Sequence, residues 1–168
     1  MIESHLSGHA KKISRYAIKK EPDIFDRERL QMAIDGMPEG YVLRKIGKEE
    51  YEACLRESWC IDLVSNFRTY EQYEKMGLGF VAMKDGEIVA GASSYSVYHG
   101  GLEIEIDTRG DHRRRGLAYA CGARLILECL DREIYPSWDA HNLASVALAE
   151  KLGYHMDYEY LAYEISLG

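Results

Sequence analysis

Residues 80–108 constrain the fold more than any other stretch. Two apolar runs, Phe80–Met83 and Glu87–Tyr98, are separated by Lys84-Asp85-Gly86. An Asp-Gly pair between apolar runs is the strongest short hairpin signal, because the favoured two-residue turn needs positive φ at its centre. Gly100-Gly101 makes a second turn, and Leu102–Thr108 follows as a third strand. Strands joined by turns this tight must lie side by side as an antiparallel meander. After it the period changes. A helix is expected from about Gly116 to Asp131, then a short strand Ile134–Trp138 and a helix from Asn142 to Lys151. Tyr154–Met156 and Tyr160–Ile165 are expected to close the chain as an antiparallel pair. Ahead of the meander stand a strand at Tyr41–Ile46 and helices at about Lys48–Glu57 and Ile61–Lys75. The expected class is therefore α/β, of the α+β kind. It is a mixed, mostly antiparallel sheet with helices on both faces, its parallel pairing made where the helix at Gly116 returns the chain to the sheet.

The first 37 residues read differently, as a polar, basic lead, a short strand around Tyr16–Ile18 and a helix from about Phe25 to Ile34. Asp35-Gly36-Met37-Pro38 stops that helix and turns the chain. Residues 1–37 are thus expected to form an appendage packed on a main domain of residues 38–168. A chain of 168 residues can remove about 70% of its extended surface from water, enough for one core without metals or disulfides.

Charge and cysteine usage narrow the function. There are 21 Lys and Arg against 28 Asp and Glu, a net charge of −7. That is the wrong sign for a general nucleic-acid binder and favours cationic small substrates. No apolar run approaches the roughly 18 residues of a membrane span, and the N-terminus lacks a signal peptide's apolar segment, so no membrane partner is expected. Cys54, Cys60, Cys121 and Cys129 show no CxxC spacing and no metal-ligand pattern. A reducing, cytoplasmic setting is the default. Cys121 and Cys129 read as small buried hydrophobes on a stripe with Leu117 and Leu125, next to the row Ala118, Gly122, Ile126 and Leu130.

The most informative segment is Glu103-Ile-Glu-Ile-Asp-Thr108, followed by Arg109-Gly-Asp-His-Arg-Arg-Arg-Gly116-Leu-Ala118. A strand runs into a basic turn that opens a long helix. Between Arg109 and Arg115 four arginines stand against one aspartate, a local +3 in an acidic chain. The first N–H groups of a helix lack internal partners and sit at the positive end of its dipole. Gly116 and Ala118 leave room for an anion to approach them. The turn matches neither GxGxxG nor GxxxxGK[ST], which excludes the common dinucleotide and P-loop readings.

Arg113-x-x-Gly116-x-Ala118 in this position resembles the acetyl-CoA motif of the GNAT superfamily of N-acetyltransferases. A second block, Trp138-Asp-Ala-His-Asn142 through Glu150-Lys-Leu-Gly153-Tyr154, is similar to that superfamily's Asn-led helix. EIEIDT and PSWDAHN look more narrowly like the branch that includes zwittermicin A resistance acetyltransferases. The resemblance covers roughly residues 40–165. It implies acetyl-CoA as acyl donor, its diphosphate gripped by backbone N–H groups of Arg114, Arg115, Gly116, Leu117 and Ala118, with Arg113 heading the motif. It implies a pantetheine arm pairing along Ile106 and Thr108, and contact with the cofactor from Asn142 and Ser145. The implied reaction is direct attack by the amine of a small molecule; a coenzyme A-binding module that has lost transfer is the alternative, and a homodimer is allowed.

Glu103, Glu105 and Asp107 alternate along one strand, so all three point to one face unless a bulge intervenes. Glu103, at the start of the motif strand, is the expected base. Many members carry a Tyr seven residues after the Asn, where this chain has Ala149. Ser145, on the same helical stripe as Asn142 and Ala149, is then the nearest hydroxyl able to protonate the thiolate. A serine bonded back to the preceding turn is the plainer alternative. Asp139 is expected to cap the last helix, and Tyr95 and Tyr98 to pack on their strands.

Overall fold

The computed structural model describes residues 10–165. In chain order the elements are β1 (Ala10–Ile18), α1 (Arg27–Asp35), β2 (Val42–Lys45), α2 (Lys48–Leu55), a 3-10 turn (Ile61–Leu63), α3 (Tyr70–Met76), β3 (Gly79–Lys84), β4 (Glu87–Tyr98), β5 (Gly101–Thr108), a 3-10 turn (Gly110–His112), α4 (Leu117–Asp131), β6 (Tyr135–Ser137), β7 (Asp139–Ala140), α5 (Leu143–Leu152) and β8 (Met156–Ile165). They form two sheets, β2-β3-β4-β5-β6 and β7-β1-β8. The meander β3-β4-β5 is antiparallel, and β5 pairs with β6 in parallel, Gly101 opposite Tyr135 through Glu103 opposite Ser137. The α/β class with a mostly antiparallel sheet is as expected.

Alternation along the strands sorts the core to both faces of the larger sheet. Phe80 and Ala82 of β3 face α4 with Leu117, Cys121, Leu125 and Cys129. Val81 faces the other way, into a cluster with Tyr51 and Cys54 of α2, Leu63, Phe67 and Tyr73. Each fully buried Leu stabilises the fold by about 1.5–3 kcal/mol. Loss of water pushes the Cys121 and Cys129 thiols up to about 12, which makes both inert. The neighbouring row of α4, with Ile126 and Leu130, packs on α1, α5 and the smaller sheet. Gly122 allows that close approach, because a Cβ there would stand 3.0 Å from Leu152 Cδ1 and 3.1 Å from Ile106 Cδ1.

Two expectations need correction. Tyr154–Met156 and Tyr160–Ile165 do not pair with each other. Residues 156–165 form one strand, β8, which runs antiparallel to β1 from Ala10 opposite Ile165 to Ile18 opposite Met156. Asp157-Tyr158-Glu159 contains neither Gly nor Pro and no Asn-Gly or Asp-Gly pair to form a tight reversal, and the segment stays extended with β1 as partner. Tyr154 lies outside the strand and is buried in the core. The continuous helix over Ile61–Lys75 is instead a 3-10 turn and the short α3. Short polar side chains there bond locally or to distant backbone: Asn66 Nδ2 donates to the Tyr95 carbonyl at 2.8 Å, and Thr69 caps α3 by accepting from Gln72 N at 3.1 Å. No helix among the described residues is long and apolar enough to cross a membrane.

Candidate active site

The two sheets part beside β5. Its pairing with β6 ends at Glu103, and at Trp138 the chain leaves the larger sheet. Two residues of β7 then pair with β1, Tyr16 opposite Ala140 and Ala17 opposite Asp139. From Ile104 to Thr108, β5 therefore has β4 on one side and, among the described residues, no strand on the other. The opening is held from below: Trp138 packs on Tyr154, ring centroids 5.4 Å apart, and the Tyr154 hydroxyl donates to the Pro136 carbonyl at 2.6 Å. A cleft of about 590 Å³ results, walled by β5 on one side and by Trp138 and α5 on the other. A second hollow of similar volume, between α2 and the β3–β4 hairpin, carries mixed charge; neither the β5 edge nor the start of α4 opens into it.

The basic turn lies at the end of that open edge. Arg114 and Gly116 adopt positive φ, 64° and 75°, and Gly116 caps α4 with no side-chain hydrogen bond. Among the described residues no acceptor meets the backbone N–H groups of residues 114–118. Space beside Gly116 is open, since nothing lies within 4 Å of where its Cβ would stand. Unpartnered N–H groups between left-handed residues at a helix start form a concave, positive notch. Its sign and its open approach fit a diphosphate. Leu117 is buried and offers only its backbone, whereas Arg113 and Arg114 are exposed. The other charges of the turn are spent within the fold. Arg109 is tied to Asp111 at 2.7 Å and Glu87 at 3.1 Å. The Arg115 guanidinium donates to the Tyr41 hydroxyl at 2.8 Å, which meets His112 Nδ1 at 2.8 Å. Arg115 thus fastens the turn to the residue just ahead of β2.

On β5 the sole irregularity belongs to its neighbour. Register shifts in β4, where Ser94 faces Ile104 and Ser96 faces Glu103, leaving Tyr95 as the bulged residue. The β5 alternation survives, with Leu102, Ile104 and Ile106 turned toward α4 and the three carboxylates opposite. Glu103 is exposed at the cleft wall, and Glu105 lines the same cleft half-buried. Loss of water pushes Glu105 up to about 8, with Asp107 and Asp62 adding to the effect. Asp107 is raised for the same first reason, and its Oδ2 is buried without a hydrogen-bond partner.

Sequence reasoning missed three residues of the cleft. Asp62 comes from the broken helical segment, Arg15 from β1, and Tyr95, 40% exposed, from the bulge. Arg15 Nε and the Tyr160 hydroxyl both reach Asp139 Oδ2 at 2.9 Å, so Asp139 does not cap α5. Asn142 does, its Oδ1 accepting from Ser145 N at 2.8 Å. Asn142 and Ser145 both line the cleft with Thr108 and Ala118, as does Ile106, whose side chain also packs against the core on the α4 side. Ala149 is instead fully buried in the core beneath. Trp138 Nε1 donates to Ser145 Oγ at 3.2 Å, a partner the spacing of the sequence did not announce.

Comparison with known proteins follows this geometry. The family model for GNAT acetyltransferases matches residues 1–163. A protein of Bacillus subtilis described as the uncharacterized N-acetyltransferase YdfB is 28% identical over 167 residues, covering 97% of this chain and 60% of its own length. A GCN5-related N-acetyltransferase-like protein of Streptococcus suis has a crystal structure that is 50% identical with a TM-score of 0.95, covering 98% of this chain and 66% of that one. A predicted acetyltransferase of Clostridium acetobutylicum, crystallised with acetyl-CoA, shares the fold at 17% identity and a TM-score of 0.54, over 70% of this chain and 91% of its own. The present chain thus spans about two thirds or less of the first two relatives. With the family model matched over nearly its whole length, the chain belongs to the GNAT acetyltransferase family.

Proposed function

We propose that this chain transfers acetyl from acetyl-CoA to the amine of a small cationic molecule by direct attack. One observation carries the reading: the unpaired edge of β5, Ile104–Thr108, leads into the uncapped start of α4, and both border one cleft. Backbone N–H groups of residues 114–118 would hold the diphosphate, with Arg113 and Arg114 beside them. Ile106 and Thr108 would pair with the pantetheine arm as a further strand does. Asn142 would reach it with the amide nitrogen that capping leaves unused. When bound, acetyl-CoA supplies an acyl group activated as a thioester, with a thiolate as leaving group.

The chain's own residues supply the rest. A primary amine is mostly protonated near pH 7 and must lose a proton before it attacks. Glu103, exposed at the cleft wall, takes that proton and can pass it to water. Asp62 balances positive charge on the acceptor from the same side, Glu105 keeps its proton and can hydrogen-bond the acceptor, and the ring of Tyr95 forms an apolar wall. The likeness to the branch that includes zwittermicin A resistance acetyltransferases belongs to the same proposal and points to an aminated small molecule as acceptor.

The test is thiol release from acetyl-CoA across a panel of monoamines, diamines and aminated antibiotics. Amine-stimulated release, lost in Glu103→Gln, is the expected result. Tight acetyl-CoA binding with no amine-stimulated release would overturn transfer and leave a coenzyme A-binding module.

A further inference from the structure

We propose that the Trp138 indole is a positioning residue that turns the Ser145 hydroxyl into the cleft, where it relays a proton from the attacking amine to the departing sulfur. The inference rests on acetyl-CoA being the acyl donor. Its own grounds are geometric. Trp138 Nε1–H donates to Ser145 Oγ at 3.2 Å and so fills one of the two lone pairs of that oxygen. Among the described residues the hydroxyl's proton has no acceptor. A helical serine usually spends that proton on a carbonyl one turn back. Ser145 is the third residue of α5, so no helical turn precedes it. The Asn142 cap holds the Ser145 backbone at 2.8 Å. One lone pair and one proton of the hydroxyl are thus left to face the cleft that Ser145 lines.

Nor is the indole free to swing away. It is 8% exposed and packed on Tyr154, itself 1% exposed and bonded to Pro136. Trp138 is also where the chain crosses from the larger sheet to the smaller one. The split that frees the β5 edge and the N–H that aims Ser145 therefore come from the same turn of backbone.

The step balances without another donor. The substrate ammonium loses its first proton to the strand carboxylate. As the nitrogen–carbon bond forms and the carbon–sulfur bond breaks, the nitrogen sheds a second proton. Ser145 Oγ accepts it on the remaining lone pair while passing its own proton to sulfur. The products are a neutral amide and a thiol, and Ser145 ends as it began. Ala149, buried in the core, has no part to play.

The test is a double-mutant cycle with two readouts besides rate. Acetyl-CoA and the amine giving the fastest thiol release in the panel are the probes. Ser145→Ala should lower kcat on the order of 100-fold, within the usual range for a proton-transfer group. Ser145→Thr, which keeps the hydroxyl, should restore most of it. Trp138→Phe keeps the packing and deletes the N–H, and should lower kcat roughly tenfold; added to Ser145→Ala it should cost nothing more. Acetyl-CoA affinity by calorimetry should stay unchanged in all of them. In a Trp59→Phe protein, whose remaining tryptophan is Trp138, Ser145→Ala should shift the ultraviolet resonance Raman band of the indole N–H. Full kcat in folded Ser145→Ala, equal losses from Trp138→Phe with and without Ser145, or an unmoved Raman band would each overturn the relay. If Trp138→Phe fails to fold, the Ala and Thr variants and the Raman band still decide. Wild-type protein that binds no acetyl-CoA would overturn the donor reading and the relay with it; intact binding with full rates in the variants would overturn the relay alone.

Discussion

At Glu105 the carboxyl stands half-buried between Asp107 and Asp62, and its raised proton affinity has a sign that can be checked. Below the unfolded value both states carry the proton and the group has no effect on stability. As pH rises toward about 8 the folded state keeps a proton that the unfolded state has lost, so stability falls through that window and then levels. Glu105→Gln removes the penalty. We expect it to be the more stable protein at pH 9 by about 1–2 kcal/mol and to come close to wild type at about pH 4, below the unfolded value, read from thermal unfolding at the two pH values. The neighbouring carboxylates should separate by kinetics. Glu103→Gln should lower kcat by about 100-fold and leave the amine KM nearly unchanged. Glu105→Gln should leave both kcat and the amine KM nearly unchanged at about pH 7, because the carboxyl it replaces already holds its proton there. Initial rates across amine concentrations distinguish the two.

Among the elements, α4 carries both the notch and the packing that aims it. Gly116 has positive φ but open space around it. Gly116→Ala should therefore fold, at a cost of about 1 kcal/mol for a left-handed Ala, and bind acetyl-CoA more weakly. Gly116→Glu should bind none by calorimetry, since a carboxylate would occupy the notch. Gly122 behaves differently, because the space beside it is already taken by Leu152 and Ile106. Gly122→Leu should cost about 1–3 kcal/mol through overpacking, measured by urea unfolding. The start of α4 was legible in the sequence because the basic, Gly-containing turn is local. That Arg115 is fastened to Tyr41 was not: the two lie 74 residues apart.

For the molecule as a whole, β1 does more than cover a surface. It is the middle strand of β7-β1-β8, and its Arg15 fixes Asp139 at the rim of the cleft. Removing residues 1–18 should leave β7 and β8 without a partner. We expect a loss of at least about 3 kcal/mol, a fall of roughly 6–12 °C in Tm for a domain of this size, with acetyl-CoA protecting less against unfolding than it protects the full chain. Melting curves of the truncated and full chains with and without acetyl-CoA check both statements. Local pattern had suggested a short β1 and a closing hairpin at the other end of the chain. Pairing across more than a hundred residues is invisible to period and turn signals, because hydrogen-bond partners in a sheet are chosen by what lies alongside.

What the sequence determined by itself was whatever depends on neighbours along the chain: the two tight turns of the meander, the apolar stripe of α4, the alternation of Glu103, Glu105 and Asp107, and the basic turn with its glycine. These follow from φ preferences and side-chain period, which act over a few residues. Only the tertiary structure decided that β5 would be left with an open edge, that Asn142 rather than Asp139 would cap α5, that Asp62 would face Glu105, and that the Trp138 indole would meet Ser145. Each needs two segments brought together from a distance. The force that brings them, burial of apolar surface, is proportional to area and carries no address. The partner of each group is therefore settled only when the whole core has closed.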